Sequence, residues 1–327
     1  MTGYQIAVIL PHCQLFGGVR RFFELGEIFI RQGHQMLVFT PEGTSPEWFD
    51  FSGSVIALKE IDRYTPDLLF ITEPVFLPQL LQSRARLKVF YHVGPRADLR
   101  PVLKHPGIHI FSNSTNMYRR DKKKYGIDTV KAYGGVHIPS EAKRIDEKQD
   151  PFLIMCYGRL SRKGKGTHLV VSAVKKLHRK GLPVKLLLFD SPLDDNGLVK
   201  IKNFDPGFPF EFIINHPVDD NENLFKRANV FVAVEKKGGW SNTAAEAMAC
   251  GVPLIASNIG TNDFLIDGVT GLRVWRHPYF IARALKKLIG NVSLQRTLAN
   301  NGREQIKKLG WEPLAAHILA FIDSKLK

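Results

Sequence analysis

The sequence predicts an α/β protein of two similar domains, each built on a parallel sheet, facing each other across a cleft. Three observations carry that expectation. Strand-length apolar runs alternate with helix-period stretches in both halves of the chain. A polar run over residues 134–150, GGVHIPSEAKRIDEKQD, lies between the halves and has the composition of a linker. The 327 residues are too many for one average domain and suit two of ordinary size. The amino-terminal domain is therefore placed at 1–142 and the carboxyl-terminal domain at 143–310, with a terminal helix over 311–327.

In the amino half, residues 6–10 form an apolar strand, 11–18 a loop and 19–32 an amphipathic helix that Gly33 and His34 end; 36–40 is the next strand. Gly17 and Gly18 stand between strand and helix, where a backbone must turn sharply or come close to something. They are a pair, without the three spaced glycines of the dinucleotide-binding fingerprint, which argues against a dehydrogenase. Strands follow at 54–58, 68–72, 87–91 and 108–112, each trailed by turn or helix signals such as Pro74, Pro78, Gly94-Pro95 and Asn113-Ser114. His92 falls just past one of these strands, at the edge where α/β sheets place ligands; a lone histidine there is more often a structural hydrogen-bonder than a catalyst.

The carboxyl half repeats the alternation. Residues 152–157 are a strand, 158–166 a basic loop, 167–179 a helix and 184–190 a strand. An irregular stretch holding Asp194-Asp195-Asn196-Gly197 and Pro206-Gly207 follows, then a strand at 212–215 and a short helix at 220–227. Residues 230–234 form a buried strand that runs into Glu235. Gly238 and Gly239 make a turn, and Ser241, Asn242 and Thr243 are helix-capping types before the helix 244–250. Gly251 and Pro253 end that helix, and 254–256 is the next strand. Strand, glycine turn and helix start is where an α/β sheet holds phosphate, because free N–H groups and the helix dipole point at an anion there. Glu246 lies one turn inside the helix, within reach of a ribose or sugar hydroxyl. A capped βαβ unit with Glu246 in solvent carries the same signature. The loop YGRLSRKGKG tips the balance: Arg159, with Lys163 and Lys165 after it, suits a diphosphate at a strand's carboxyl end, Arg by bidentate bonds and Lys as a point charge. A helix over 277–289 and further helices close the chain, the last of them apolar-striped over 311–326.

Composition bounds the reading. A 44% hydrophobic and 24% charged chain is globular and can bury real cores, and no apolar run is long enough to span a bilayer. The start, MTGYQIAVILPH, has no basic residues before its apolar run and is not read as a signal peptide. Cys13, Cys156 and Cys250 lie in core elements without metal-type spacing, as small hydrophobes of a reducing, cytoplasmic compartment. The net charge of +15, with a pI near 9.7, favours anionic partners. Arg119, Arg120, Lys122, Lys123 and Lys124 form the densest cluster, in a helix-like stretch. They are either a solvated helix face or a face held against an anionic membrane, at about 1 kcal/mol per basic residue. Nucleic acid is not expected as a partner, because this run lacks a stacking platform and the glycine and glutamate loops would go unused.

Three segments of the carboxyl half carry a resemblance: GRLSRKGKGTHLVVSAVKKL, then HPVDDNENLFKRANVFVAVE, then GWSNTAAEAMACGVPLIASNIGTNDFLIDGVTGLRV. In this order they resemble the carboxyl domain of retaining glycosyltransferases of family four, within the glycosyltransferase group 1 family. In the amino half, GGVRRFFELGEIFIRQGHQMLVFTP, SNSTNMYRRDKKKYGI and YGGVHIP are similar to that family's amino domain. The resemblance implies the GT-B fold, two Rossmann-like domains around a cleft. It implies transfer of a sugar, with retention, from a nucleoside diphosphate sugar to a glycan or lipid-linked acceptor of the cell envelope, without a required metal or other cofactor. It assigns the donor diphosphate to Arg159 and Lys165, the nucleotide ribose to Glu246 and a phosphate to the backbone N–H groups of Ser241, Asn242 and Thr243. Gly17 and Gly18 let the amino loop approach the donor, and His92 matches a histidine that faces the donor sugar and is tied to catalysis, which makes it a catalytic candidate. Two departures stand out. The loop before Lys165 is one residue longer than the family's usual spacing. Gly238 occupies the position of the family's first glutamate, which leaves Glu235 as the candidate catalytic carboxylate.

By the same resemblance the helix 311–327 packs on the amino domain, although as a sequence it would equally close the second domain. Two other functions stay open. One is a nucleoside diphosphate sugar epimerase, for which the needed acid/base carboxylates are not found. The other, motivated by Gly238, is a catalytically impaired GT-B protein that binds sugar nucleotides or polyanions.

Overall fold

The structure is a computed structural model that describes residues 3–146, 150–192 and 194–327. Residues 1–2 of the expected amino domain, 147–149 of the expected linker and 193 of the stretch expected to be irregular lie outside the described residues. The chain divides into two compact units. One comprises Met1–Gly135 together with Leu309–Lys327, the other Val136–Lys308.

The amino unit runs β1 (Gln5–Ile9), α1 (Gly17–Arg31), β2 (Gln35–Thr40), β3 (Ser54–Ala57), β4 (Leu68–Ile71), α2 (Leu77–Gln82), β5 (Leu87–His92), β6 (Ile108–Ser112), α3 (Thr115–Tyr125) and β7 (Val130–Lys131). Its described strands order as β3-β2-β1-β4-β5-β6-β7, every neighbouring pair parallel. Successive residues of a strand face opposite sides of the sheet, and here both sides are covered. Ile6, Val8, Val38 and Phe70 join Phe22, Phe23 and Phe29 of α1 in one core. Ala7, Ile9, Phe39 and Ile71 join Leu77 and Leu80 of α2 in the other. This is why the strands read as continuous apolar runs.

The carboxyl unit runs β8 (Phe152–Tyr157), α4 (Thr167–His178), β9 (Val184–Asp190), α5 (Asp195–Lys202), β10 (Phe210–Ile214), α6 (Asn221–Lys226), β11 (Val230–Ala233), α7 (Asn242–Ala249), β12 (Leu254–Ala256), β13 (Leu272–Arg273), α8 (Pro278–Leu288) and α9 (Val292–Lys307). Its described strands order as β10-β9-β8-β11-β12-β13, again all parallel. One core packs Ile154, Leu186, Leu188 and Val232 against Val170 and Val174 of α4 and Ile281 and Leu285 of α8.

The last helix, α10 (Trp311–Leu326), belongs to the amino unit. Trp311, Leu314, Ala315, Ile318 and Ile322 form its buried stripe, on the core that also holds α1. Gly135 makes the docking possible: its φ is 102°, and a Cβ there would overlap the Trp311 ring at 2.1 Å.

Four local expectations are corrected. Residues 195–202 are helical instead of irregular, because the Asp194 carboxylate accepts the Gly197 N–H at 2.7 Å and caps α5. α7 starts two residues early, at Asn242. Gly17 and Gly18 form the first turn of α1 instead of ending a loop. His92 is the last residue of β5, in register with Ser112, and is fully buried instead of lying at a loop edge.

Candidate functional site

Parallel strands bring their carboxyl ends to one edge of a sheet, so residues far apart in sequence meet there. In the carboxyl unit this edge gathers Tyr157 at the end of β8, Arg159 just after it, Asp190 at the end of β9 and Glu235 after β11. Arg159 is only 9% exposed, and its Nε donates to both Asp190 oxygens at 2.7 and 2.9 Å. Its Nη2 donates to the Ser191 carbonyl at 2.9 Å and to the Tyr157 hydroxyl. These charge-assisted bonds fix the guanidinium plane and offset its charge. Burial first, and the Asp190 charge second, push the Tyr157 hydroxyl above its ordinary range, so it stays protonated.

Lys165 donates from Nζ to Glu235 Oε2 at 3.0 Å and sits 5.4 Å from the centre of the Tyr157 ring. Its loop lies tightly on the neighbouring strand. Gly166 has a φ of 86°, and a Cβ there would stand 2.4 Å from the Val234 carbonyl oxygen. The Lys236 N–H donates to the Gly164 carbonyl at 2.8 Å and joins the same two loops. Tyr157, Lys165, Thr167, Glu235 and Thr243 line one small crevice. Glu235 borders position 238: a Cβ built there would touch Glu235 Oε2 at 3.4 Å, an ordinary contact.

Ser241 caps α7 by position but not by side chain; its Oγ is buried without a partner among the described residues. Its N–H donates to the Gly260 carbonyl at 2.9 Å. This corrects the expectation that all of 241–243 offer amides to a phosphate. Asn242 and Thr243 hold the first two helical positions, whose N–H groups have no intrahelical acceptor. Glu246 is 9% exposed, with Asn221 Nδ2 at 3.5 Å from its Oε1, and so is held in the protein instead of solvated. Burial, and behind it the Glu246 charge, push the Cys250 thiol up to about 12, which makes it inert.

The amino unit holds the remaining candidates. A Cβ on Gly18 would stand 3.3 Å from Val93 Cγ2, so the start of α1 lies close to the end of β5 beside His92. His92 Nδ1 lies 2.9 and 3.0 Å from the two oxygens of Asp121, which is also fully buried. The Ser112 hydroxyl donates to Asp121 Oδ2 at 3.1 Å and shares a bond with Thr129 Oγ1 at 2.7 Å. A carboxylate only accepts, so Nδ1 is the donor and Nε2 is left buried without a partner among the described residues. Gly17, Gly18 and His92 thus lie in one unit, and Arg159, Lys165, Glu235, Ser241, Asn242, Thr243 and Glu246 in the other. Sequence reasoning missed Tyr157, Asp121 and Asp190. Of these only Asp121 had a visible signal, an acid inside a basic run.

Comparison with known proteins agrees with this architecture. Residues 138–305 match the model of the family described as glycosyl transferases group 1. The capsular polysaccharide biosynthesis glycosyltransferase CapM of Staphylococcus aureus is 32% identical over 181 residues, 53% of this chain and 47% of that protein. A D-inositol 3-phosphate glycosyltransferase of Paenarthrobacter aurescens is 26% identical over 176 residues, 52% of this chain and 43% of that one. The chain spans about half the length of the curated relatives it matches. Among solved structures, a glycosyltransferase from Rickettsia africae superposes with a TM-score of 0.79 at 17% identity, covering 100% of both chains. HepE of Anabaena, in complex with UDP and glucose, superposes at 0.78 and 13% identity, covering 98% of this chain and 100% of that one. The fold is therefore GT-B, and the chain belongs to the glycosyl transferases group 1, a family of transferase enzymes.

Proposed function

We propose that the protein is a retaining glycosyltransferase. It moves a sugar from a nucleoside diphosphate sugar to a glycan or lipid-linked acceptor, in the synthesis of a cell-envelope polysaccharide or glycolipid. The observation that carries this reading is the convergence of Lys165, Glu235, the start of α7 and buried Glu246 at one edge of the carboxyl sheet. Glu246 would hold the ribose. Lys165, about a third exposed, would leave Glu235 for the diphosphate, joined by Arg159 and the amides of Asn242 and Thr243. The exchange frees the Glu235 carboxylate beside position 238 to stabilise positive character at the reacting carbon. In the transfer the bond from that carbon to the diphosphate breaks. An acceptor oxygen bonds to the carbon in the same configuration, and the acceptor's proton leaves with the diphosphate. The donor charge that grows in the transition state is met by Arg159 and the α7 amides, which are already in place, and by Lys165 once it has moved to the diphosphate. His92 and the Gly17-Gly18 turn are assigned to the donor sugar side. No metal is needed for this charge balance, and we expect turnover to persist in excess chelator.

The enzyme is assigned to the cytoplasm at the inner face of the membrane, with the basic cluster of α3 as a membrane contact. Among the described residues no helix is long and apolar enough to cross a membrane. Gly238 alone favours the competing reading, a GT-B protein that binds sugar nucleotides or polyanions without turnover.

The test is a thermal-shift and hydrolysis screen against nucleoside diphosphate sugars, headed by UDP-linked ones because HepE is seen with UDP-glucose. A donor at a hundred times its Kd should stabilise the protein by about 2.7 kcal/mol. We expect one donor to raise Tm and to release nucleoside diphosphate slowly, with both effects lost in Glu246→Ala and Arg159→Ala. Stabilisation without turnover, even with candidate acceptors, supports the binding-protein reading. No response to any donor refutes the site.

A further inference from the structure

We propose that the outer face formed by α4 and α8 in the carboxyl unit binds the surface of an anionic lipid bilayer. This face is separate from the α3 cluster and does not require the transfer reaction. Residues 151–189 contain nine Lys and Arg and no Asp or Glu; residues 268–303 contain seven and again none. Folding lays α4 and α8, one from each stretch, side by side on one core. Their solvent sides and the turn that follows α4 expose Lys176, Arg179 and Lys180 next to Arg283, Lys286 and Lys287. No acidic side chain of either helix offsets them.

The aromatic residues give the charge a direction. Trp275 is 78% exposed, Tyr279 49% and Phe280 38%, all within six residues at the start of α8. Lys176 Nζ of α4 lies 5.3 Å from the centre of the Tyr279 ring, which joins the aromatic group to the basic face. Exposing three large aromatics together is unfavourable in water, and such patches mark interaction sites. Trp and Tyr beside Lys and Arg is the composition that settles at the headgroup level of a bilayer, rings inward and cations on the lipid phosphates. A nucleic acid would satisfy the charge but would need open ring faces for stacking. Here Lys176 covers the Tyr279 ring and Phe280 packs edge-on against Tyr279 at 5.2 Å and 81°, which leaves Trp275 as one open ring instead of a platform of several.

The test is cosedimentation of the whole chain with vesicles of phosphatidylcholine alone and of equal parts phosphatidylcholine and phosphatidylglycerol. We expect binding to the anionic vesicles only, weakening as salt rises. Each exposed cation removed should lower partitioning about fivefold, so Arg283→Ala, Lys286→Ala and Lys287→Ala together should lower it about a hundredfold. Trp275→Ser with Tyr279→Ser and Phe280→Ser should lower it at least tenfold. All six positions are exposed, and an unchanged Tm verifies that the variants fold. Arg119→Glu with Lys123→Glu, on α3, should lower this binding less than either face variant does. Full vesicle binding by both face variants, or loss confined to the α3 variant, overturns the proposal. So does a wild-type chain that ignores vesicles and binds single-stranded oligonucleotide through these residues.

Discussion

Glu235 and Gly238 are neighbours: the carboxylate of one lies 3.4 Å from where a side chain on the other would begin. If Glu235 carries the charge that position 238 lacks, Glu235→Gln should lower turnover by about 100-fold or more, the scale of losing one preorganised electrostatic group. Gly238→Glu on a Glu235→Ala background should recover part of the rate. Gly238→Glu alone should not help, because two carboxylates would crowd one site. Turnover unchanged in Glu235→Gln would remove that residue from the mechanism. His92 invites a second experiment. Asp121→Leu strands the buried Nδ1 donor and should lower stability by about 1–3 kcal/mol in a denaturant titration, whereas Asp121→Asn keeps an acceptor and should lose less. Asp190 and Asp121, two of the residues that sequence reasoning missed, share a cause. Arg159 and Asp190 are 31 positions apart and His92 and Asp121 are 29, about the length of one strand–helix–strand crossover. Spacing along the chain reveals neighbours on one helix or strand, so Arg159, Glu235 and Glu246 could be picked out singly, but not the partners that the sheet brings to them.

At the level of elements, strands and long helices were legible because their apolar runs are buried on both sides, as for Ile6 to Ile9 against two cores. Short capped pieces were not: α5 depends on one Asp194 cap in a stretch rich in turn residues. α10 offers the clearest stability experiments. Ile318 is fully buried, so Ile318→Ala should cost about 2–5 kcal/mol and lower Tm accordingly. The same helix brings a pH dependence. His109 packs edge-on against Phe321 at 5.0 Å, and burial, followed by the Lys325 charge, holds its imidazole below the ordinary 6.5. His34 is lowered too, by burial, with Asp323 opposing, and its Nδ1 accepts the Tyr4 N–H at 2.9 Å. A depressed folded value means the unfolded chain takes up these protons first. Stability from both histidines is thus complete above about pH 6.5 and is lost as pH falls through the lower folded values. We expect Tm to decline between pH 7 and pH 5 for this reason, and the decline to be shallower in His109→Phe. An identical slope in the variant would exclude His109 as a source.

For the whole molecule, two Rossmann-like units and a family assignment followed from motifs in order along the chain, and the excess of 15 positive charges was visible at once. Where those charges gather on α4 and α8 was not visible, since residues 151–189 and 268–303 become neighbours only through the sheet. Because α10 completes the amino unit, the two units also differ in when they can form. A ribosome delivers all of Val136–Lys308 before it delivers Trp311, Leu314 and Ile318, so the carboxyl sheet can close on the growing chain. The amino sheet meanwhile waits with part of its α1 side bare, a surface for chaperones during synthesis. Termination after Lys308 would release a chain with an intact carboxyl unit and an unfinished amino one.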